Sequence, residues 1–288
     1  MSNAKHLVRM RLAPWALLTV AMAWGWSFVI MKDAIARQSV NNFLFTRFAL
    51  ATVIMIAIRP QVIKLMTKDL LLRASSAGVL LGLGFITQTL GLARTGAAIT
   101  GFVTGLYVVL TPLIASVFLK QKISKFIWGC IAMATIGLGL LSIHGFSIGV
   151  GELLVFISAI FYAFHIIALS KWSLGRDTYA MTVVQLATCA ILTGIASIPQ
   201  GYSPPPDRGV WGVVIFTALF ATVMAFMIQT WSQAHMSSTK VAVILTMEVV
   251  FAAFFSILFA GERLTIQSTV GGVLVVVAMY LIVVKESK

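Results

Sequence analysis

The chain has 288 residues, 60% of them hydrophobic and 10% charged, with a formal net charge of +13. A mean hydropathy of +1.01 excludes a soluble globular domain, and about ten apolar stretches use up the length, so no room remains for a nucleotide-binding domain. The phosphate-loop pattern G-x-x-x-x-G-K-[ST] does not occur, which excludes an ATP-driven pump made from this chain alone.

A bilayer core is about 30 Å thick and a helix rises about 1.5 Å per residue, so each apolar stretch of roughly 18–22 residues reads as one transmembrane helix. The expected spans are 12–31, 42–58, 74–93, 98–119, 126–143, 149–170, 178–198, 209–231, 238–260 and 265–284, an all-α membrane protein of ten helices. The first stretch is too long for a signal peptide and lacks a small-residue cleavage site, so it is expected to stay in the membrane. Trp24 lies too deep in it for the interfacial belt and is placed to stack on a solute or gate a cavity. In span two, Arg47 stands about one turn inside the predicted outer boundary. It is expected to snorkel, or to pair with Glu152 of span six. The segment 59–73 reads as a short amphipathic helix on the inner surface.

Span three brings Phe85 and Gln88, whose amide offers two donors and an acceptor to the bundle interior. Span four places Gly101, Thr104, Gly105, Val108, Thr111 and Pro112 along one face at spacings of three and four. Small residues let helices approach closely, so the stripe is read first as packing and second as a cavity wall. Pro112 removes one intrahelical hydrogen bond and is the expected hinge. Cys130 and Cys189 fall inside spans and have neither disulfide context nor metal-ligand spacing. On span six, Ser158, Tyr162 and His165 share a face. Pro204-Pro205-Pro206 stiffens the loop 199–208, with no chemical role implied. Span nine repeats the small-residue stripe with Ala242, Thr246, Val249, Ala253 and Ser256. It also holds Glu248, roughly 12 Å inward from Lys240 by helical rise and therefore near mid-membrane. Ionisable groups at that depth are costly and point to a pathway, the competing role being a hydrogen bond to a neighbouring helix.

With the N-terminus inside, the cytoplasmic segments carry 15 Lys and Arg residues and the outer segments 5, which predicts cytoplasmic termini. The basic excess is thus an orientation signal rather than a nucleic-acid footprint, with attraction to anionic lipid as a side effect. Trp15, Trp128, Trp172, Trp211 and Trp231 fall near span ends, as an aromatic belt requires.

The halves 1–143 and 144–288 are expected to be two five-helix units. Leu50-Ala51-Thr52 is echoed by Leu186-Ala187-Thr188, and the segment 93–123, with its turn Lys120-Gln121-Lys122-Ile123, by 234–264, with Gly261-Glu262-Arg263-Leu264. Five spans per unit is odd, so the second unit enters the membrane inverted. Such repeats enclose a central cavity near the midplane in secondary transporters.

The run Thr87-Gln88-Thr89-Leu90-Gly91-Leu92, then Thr95-Gly96-Ala97-Ala98, Gly101-Phe102 and Leu106-Tyr107-Val108-Val109-Leu110-Thr111-Pro112, resembles the drug/metabolite transporter superfamily, EamA type. Met247-Glu248, Gly261-Glu262-Arg263-Leu264, and Trp24-Gly25 with Ser27-Phe28 and Lys32 are similar to it as well. Gln121 stands where the first repeat often has Glu, and Val249 where the second often has Pro. The resemblance implies ten helices in two inverted units and export of small metabolites such as amino acids across the plasma membrane.

The expected pathway is made of Trp24, Ser27, Phe85, Gln88, Gly101, Thr104, Tyr107, Thr111, Tyr162, His165, Thr246 and Glu248. The expected partners are a small-molecule substrate and the lipid bilayer, with no nucleic acid, no metal and no cofactor. One central carboxylate leaves proton coupling open, and oligomeric state is not readable. The alternatives are efflux of a drug or nucleotide-derived compound, an intramembrane enzyme, and a non-transporting scaffold.

Overall fold

A computed structural model describes residues 2–119, 124–144, 147–234, 241, 244–245 and 247–286. Side chains 2–12, 115, 117–119, 138, 141–144, 147–148 and 282–286 are not described. The helices are α1 (Ser2–Arg37), α2 (Val40–Ile58), α3 (Lys68–Leu92), α4 (Ala97–Thr104), α5 (Tyr107–Leu119) and α6 (Lys125–Ser142) in the first half. The second half holds α7 (Val150–Trp172), α8 (Thr178–Ser197), α9 (Arg208–Ala218), α10 (Ala225–Gln233), α11 (Met247–Phe259) and α12 (Ile266–Glu286). Between the halves Ile143–His144 and Ser147–Ile148 form a two-residue antiparallel pair. Among the described residues, seven helical stretches are long and apolar enough to cross a membrane, and Lys125–Gly137, Met247–Phe259 and Ile266–Leu281 are shorter apolar helices.

Local chemistry explains the boundaries. Ser39, Thr67, Asp177 and Asp207 cap α2, α3, α8 and α9, each accepting a backbone N–H three residues on. Within the helices, Thr46, Thr52, Thr182 and Thr188 each donate to the carbonyl four residues back, the internal satisfaction that a polar group needs in lipid.

Two expectations need correction. The segment 59–73 is not a surface helix: Pro60–Leu65 makes a 3-10 turn, and the Thr67 cap starts α3 at Lys68. Span four is not continuous. Leu106 N–H donates to Val103 O at 3.2 Å and Val108 N–H to Gly105 O at 3.1 Å, so the tightened break lies at Gly105–Leu106. Pro112 sits inside α5, one turn beyond Val108, whose carbonyl it cannot serve. Span eight holds as one helical stretch, Arg208–Gln233, in which Leu219–Met224 winds as a π-helix between α9 and α10.

Helix neighbours reveal the symmetry. Counting α4–α5 as span four and α9–α10 as span eight, the packed pairs are three with six, one with eight, one with nine, six with four, three with seven, and two with eight. Two with seven, four with nine, and five with ten complete the main set. Adding five to each span number maps this set onto itself, as two inverted five-helix units require. Two apolar clusters form the interior, and Trp24 and Tyr162 pack against both.

Spans one, four and nine cross at glycines. A Cβ on Gly101 would fall 2.6 Å from Ala252 Cβ, and one on Gly25 would fall 2.7 Å from Ala252 N. Gly101 is therefore a packing residue against α11.

Candidate functional site

Between the two apolar clusters lies a cavity of about 50 Å³. Its wall takes Trp24, Ser27, Phe85, Gln88, Thr104, Tyr107, Tyr162, His165 and Glu248 from the residues expected in the pathway. Gly101 and Thr111 do not line it: Thr111 is buried and donates to Tyr107 O at 2.6 Å along its own helix. Thr246, with Ala242, Lys240 and Gln121, lies outside the described residues.

Several of these side chains are already held by the protein. Gln88 donates to Thr104 Oγ1 at 3.0 Å and accepts from Tyr162 Oη at 2.9 Å, so one amide ties α3 to α4 and α7. Gln88 thus fixes the wall and keeps one N–H and one lone pair for other use. His165 Nε2 shares a hydrogen bond of 2.8 Å with Gln185 Oε1 of α8. Ser27 donates to Ala23 O. Phe85 stands edge-to-face with Phe48, Tyr162 and Phe226, at centroid distances of 5.1, 5.7 and 5.9 Å.

The π-helical turn of span eight supplies a feature that the apolar run Leu219–Met224 gives no hint of. Ala221 O accepts from Trp24 Nε1 at 2.9 Å and from Arg47 Nη2 at 3.0 Å. A π-bulge offers carbonyls outside the regular ladder and is frequent at functional sites. The Trp24 indole is consequently tethered across the halves.

Arg47 overturns its expected role. It is 1% exposed, lines the cavity, and neither snorkels nor reaches Glu152. Glu152 instead accepts from Thr95 Oγ1 at 3.0 Å. The proline-stiffened loop 199–208 lies over the start of α2. Asn42 donates to Gly201 O and Ser203 Oγ, Gln38 to Ser203 O, and Thr46 meets Tyr202 Oη. Arg47 itself is drawn inward by Thr222 Oγ1 and Ala221 O of span eight. Sequence reading also passed over Phe28, Met31, Phe226 and Gln229, all of which line the cavity. Gln229 was detectable as an uncharged polar side chain at depth in an apolar run.

Glu248 is 4% exposed, and no described side chain hydrogen-bonds its carboxylate. Two other buried polar atoms on the wall, Tyr107 Oη and Gln229 Oε1, have no hydrogen-bond partner. Buried polar atoms are nearly always satisfied, so these two are available to a ligand or water in the cavity, and seven more such atoms lie elsewhere among the described residues.

The 199–208 end of the bundle is tied together across the halves. Glu262 accepts from the Ala97 and Ala98 N–H groups at 2.7 and 3.2 Å, capping α4 from the other half. Lys32 lies 4.0 Å from Glu262 and donates to Thr95 O at 2.8 Å. Asp207 joins the same end through Arg37. Its carboxyl is held below the usual carboxylate range by the Val210 N–H and then by the Arg37 guanidinium. Glu262→Ala leaves two helix N–H groups uncapped. It should lower stability by about 1 kcal/mol, read as the thermal midpoint of the purified protein in detergent.

Ten apolar helices in two interlocked, inverted sets around a buried, mostly apolar cavity with a few polar side chains on its wall fit a multi-pass membrane transporter. The EamA-like transporter family model matches residues 11–143 and again 149–284. The chain belongs to the EamA-like transporter family, within the drug/metabolite transporter superfamily, and is a protein of the plasma membrane. An uncharacterized transporter of Archaeoglobus fulgidus is 30% identical over 267 residues, covering 92% of this chain and 84% of that one. The uncharacterized transporter YyaM of Bacillus subtilis is 26% identical over 285 residues, with 91% and 90% covered. The pseudopaline exporter CntI of Pseudomonas aeruginosa is 23% identical over 267 residues, with 91% and 93% covered. A solved crystal structure at 15% identity superposes with a TM-score of 0.66 over 92% of this chain and 95% of its own, a likeness of fold.

Proposed function

We propose that the protein is a secondary transporter that moves small polar metabolites, amino acids foremost, out of the cytoplasm by alternating access. The units 1–143 and 144–288 rock about the cavity, with both termini cytoplasmic. The observation that carries this reading is the convergence of polar side chains from both halves on one buried cavity, Gln88 and Thr104 from the first, Tyr162, Gln229 and Glu248 from the second. A rocking motion about that interface would expose the same groups to each side in turn. The relative named as an exporter supports the outward direction. The aromatic wall of Phe28, Phe85 and Phe226 favours efflux of a more lipophilic compound as the second reading.

The test is reconstitution of the purified protein in liposomes loaded with labelled amino acids, with and without a pH gradient. Release faster than from empty liposomes supports the reading, and a gradient effect would identify proton coupling. A broad amino-acid panel with no difference, alongside flux of a lipophilic dye, would replace it with the second reading.

A further inference from the structure

We propose that Arg47 is the residue of the cavity that receives the carboxylate of the solute, with Glu248 on the same wall receiving its ammonium group. This rests on the transport reading and names the chemistry that the site selects. Arg47 is held by neutral acceptors only: Nε donates to Thr222 Oγ1 at 2.7 Å, Nη2 to Ala221 O at 3.0 Å, and Nη1 to the Met31 sulfur at 3.5 Å. A guanidinium has five N–H donors, so three bonds leave two unspent. No described carboxylate stands within 4.0 Å of it, because the ion pairs of the described residues are all made elsewhere.

A buried cation inside a membrane bundle ordinarily has an anionic partner, and here the described protein supplies none within contact. Phe85 and Phe48 present their ring faces to the guanidinium carbon at 5.0 and 5.5 Å. These contacts stabilise the cation without neutralising it, and one N–H on each terminal nitrogen, the edge a planar acceptor could take, remains unspent. A carboxylate fits that edge with two parallel hydrogen bonds. The orphaned Tyr107 Oη and Gln229 Oε1 add a donor and an acceptor to the same cavity.

Charge balance then selects among solutes. A neutral lipophile leaves Arg47 and Glu248 both unpaired. A polyanion satisfies Arg47 and brings further negative charge that the described lining, with Arg47 as its one Lys or Arg, does not match. A zwitterion carrying one carboxylate and one ammonium group answers both.

The experiment uses the full-length protein in detergent and reads the thermal midpoint with increasing amounts of two pools. One contains the neutral amino acids, the other the same compounds as C-terminal amides, which keep the ammonium group and lack the carboxylate. The amide pool should need about tenfold or more concentration for the same rise, the ratio set by loss of one charge-assisted contact. In Arg47→Gln the two pools should act alike, and Arg47→Lys, which keeps the charge and loses the fork, should retain part of the preference. The comparison of acid and amide on the unaltered protein needs no variant to fold. Equal response to both pools, a preference that survives in Arg47→Gln, or no response to either pool would each overturn the assignment. If liposomes still carry some other solute in that case, transport stands and only the role of Arg47 falls.

Discussion

Glu248→Gln should reduce flux through reconstituted protein at least about tenfold, equivalent to about 1.4 kcal/mol, while the yield and thermal midpoint of the folded protein stay near those of the original. Glutamine matches glutamate in size, so the wall of the cavity keeps its shape. What changes is the one carboxylate of the described cavity lining, 4% exposed. An interaction with a solute ammonium group or a proton is then lost in every cycle. Flux at the original rate would show that Glu248 has no part in the pathway. A collapse in folded yield would show that its role is to hold α11 in place.

The second large effect concerns the crossing of spans one, four and nine. Gly101→Ala should lower stability by about 1–3 kcal/mol, since its Cβ would lie 2.6 Å from Ala252 Cβ in a well-packed helix contact. Adding Ala252→Gly should restore much of that loss, because the next atom met by the new Cβ is Val249 Cα at 3.8 Å. Gly25→Ala should not be rescued in the same way: its Cβ would meet the Ala252 backbone nitrogen and Phe251 Cβ, both at 2.7 Å. Thermal midpoints of the single and paired variants form a double-mutant cycle that checks this. Additive losses for Gly101→Ala and Ala252→Gly would contradict the close crossing.

The ten-span architecture was legible because it rests on properties a sequence carries openly. Apolar length and short connections are local, and the five-span offset follows from the weak echo between 93–123 and 234–264. The cavity wall was legible in part for a related reason. Trp24, Gln88, Tyr162 and Glu248 are conspicuous where lipid-facing residues are expected, and the structure gathers them at one place.

What stayed hidden depends on contacts between distant segments. Arg47 was read from its sequence distance to the span boundary, but the groups that hold it inward, Thr222 and Ala221, come from span eight in the other half. The π-helical turn at Leu219–Met224 has no local signature, since its partners Trp24 and Arg47 come from the other half. Pro112 drew attention as a hinge because proline is visible in any sequence. The break it accompanies falls instead at Gly105–Leu106, where 3-10 bonds replace the helical ladder. The short pairing of Lys32, Thr95 and Glu262 joins residues that sequence reading had noted separately, in the first helix and in two turns.

Thiol labelling tests the central claim most directly. Cys130 and Cys189 are both buried, and replacing them with alanine gives a background for Thr104→Cys on the cavity wall. A membrane-impermeant maleimide should modify that thiol from one face of sealed vesicles, and a transported solute should slow the reaction. A thiol that stays unmodified from both faces, with and without solute, would mean that the cavity has no route to water and that the two halves do not alternate around it.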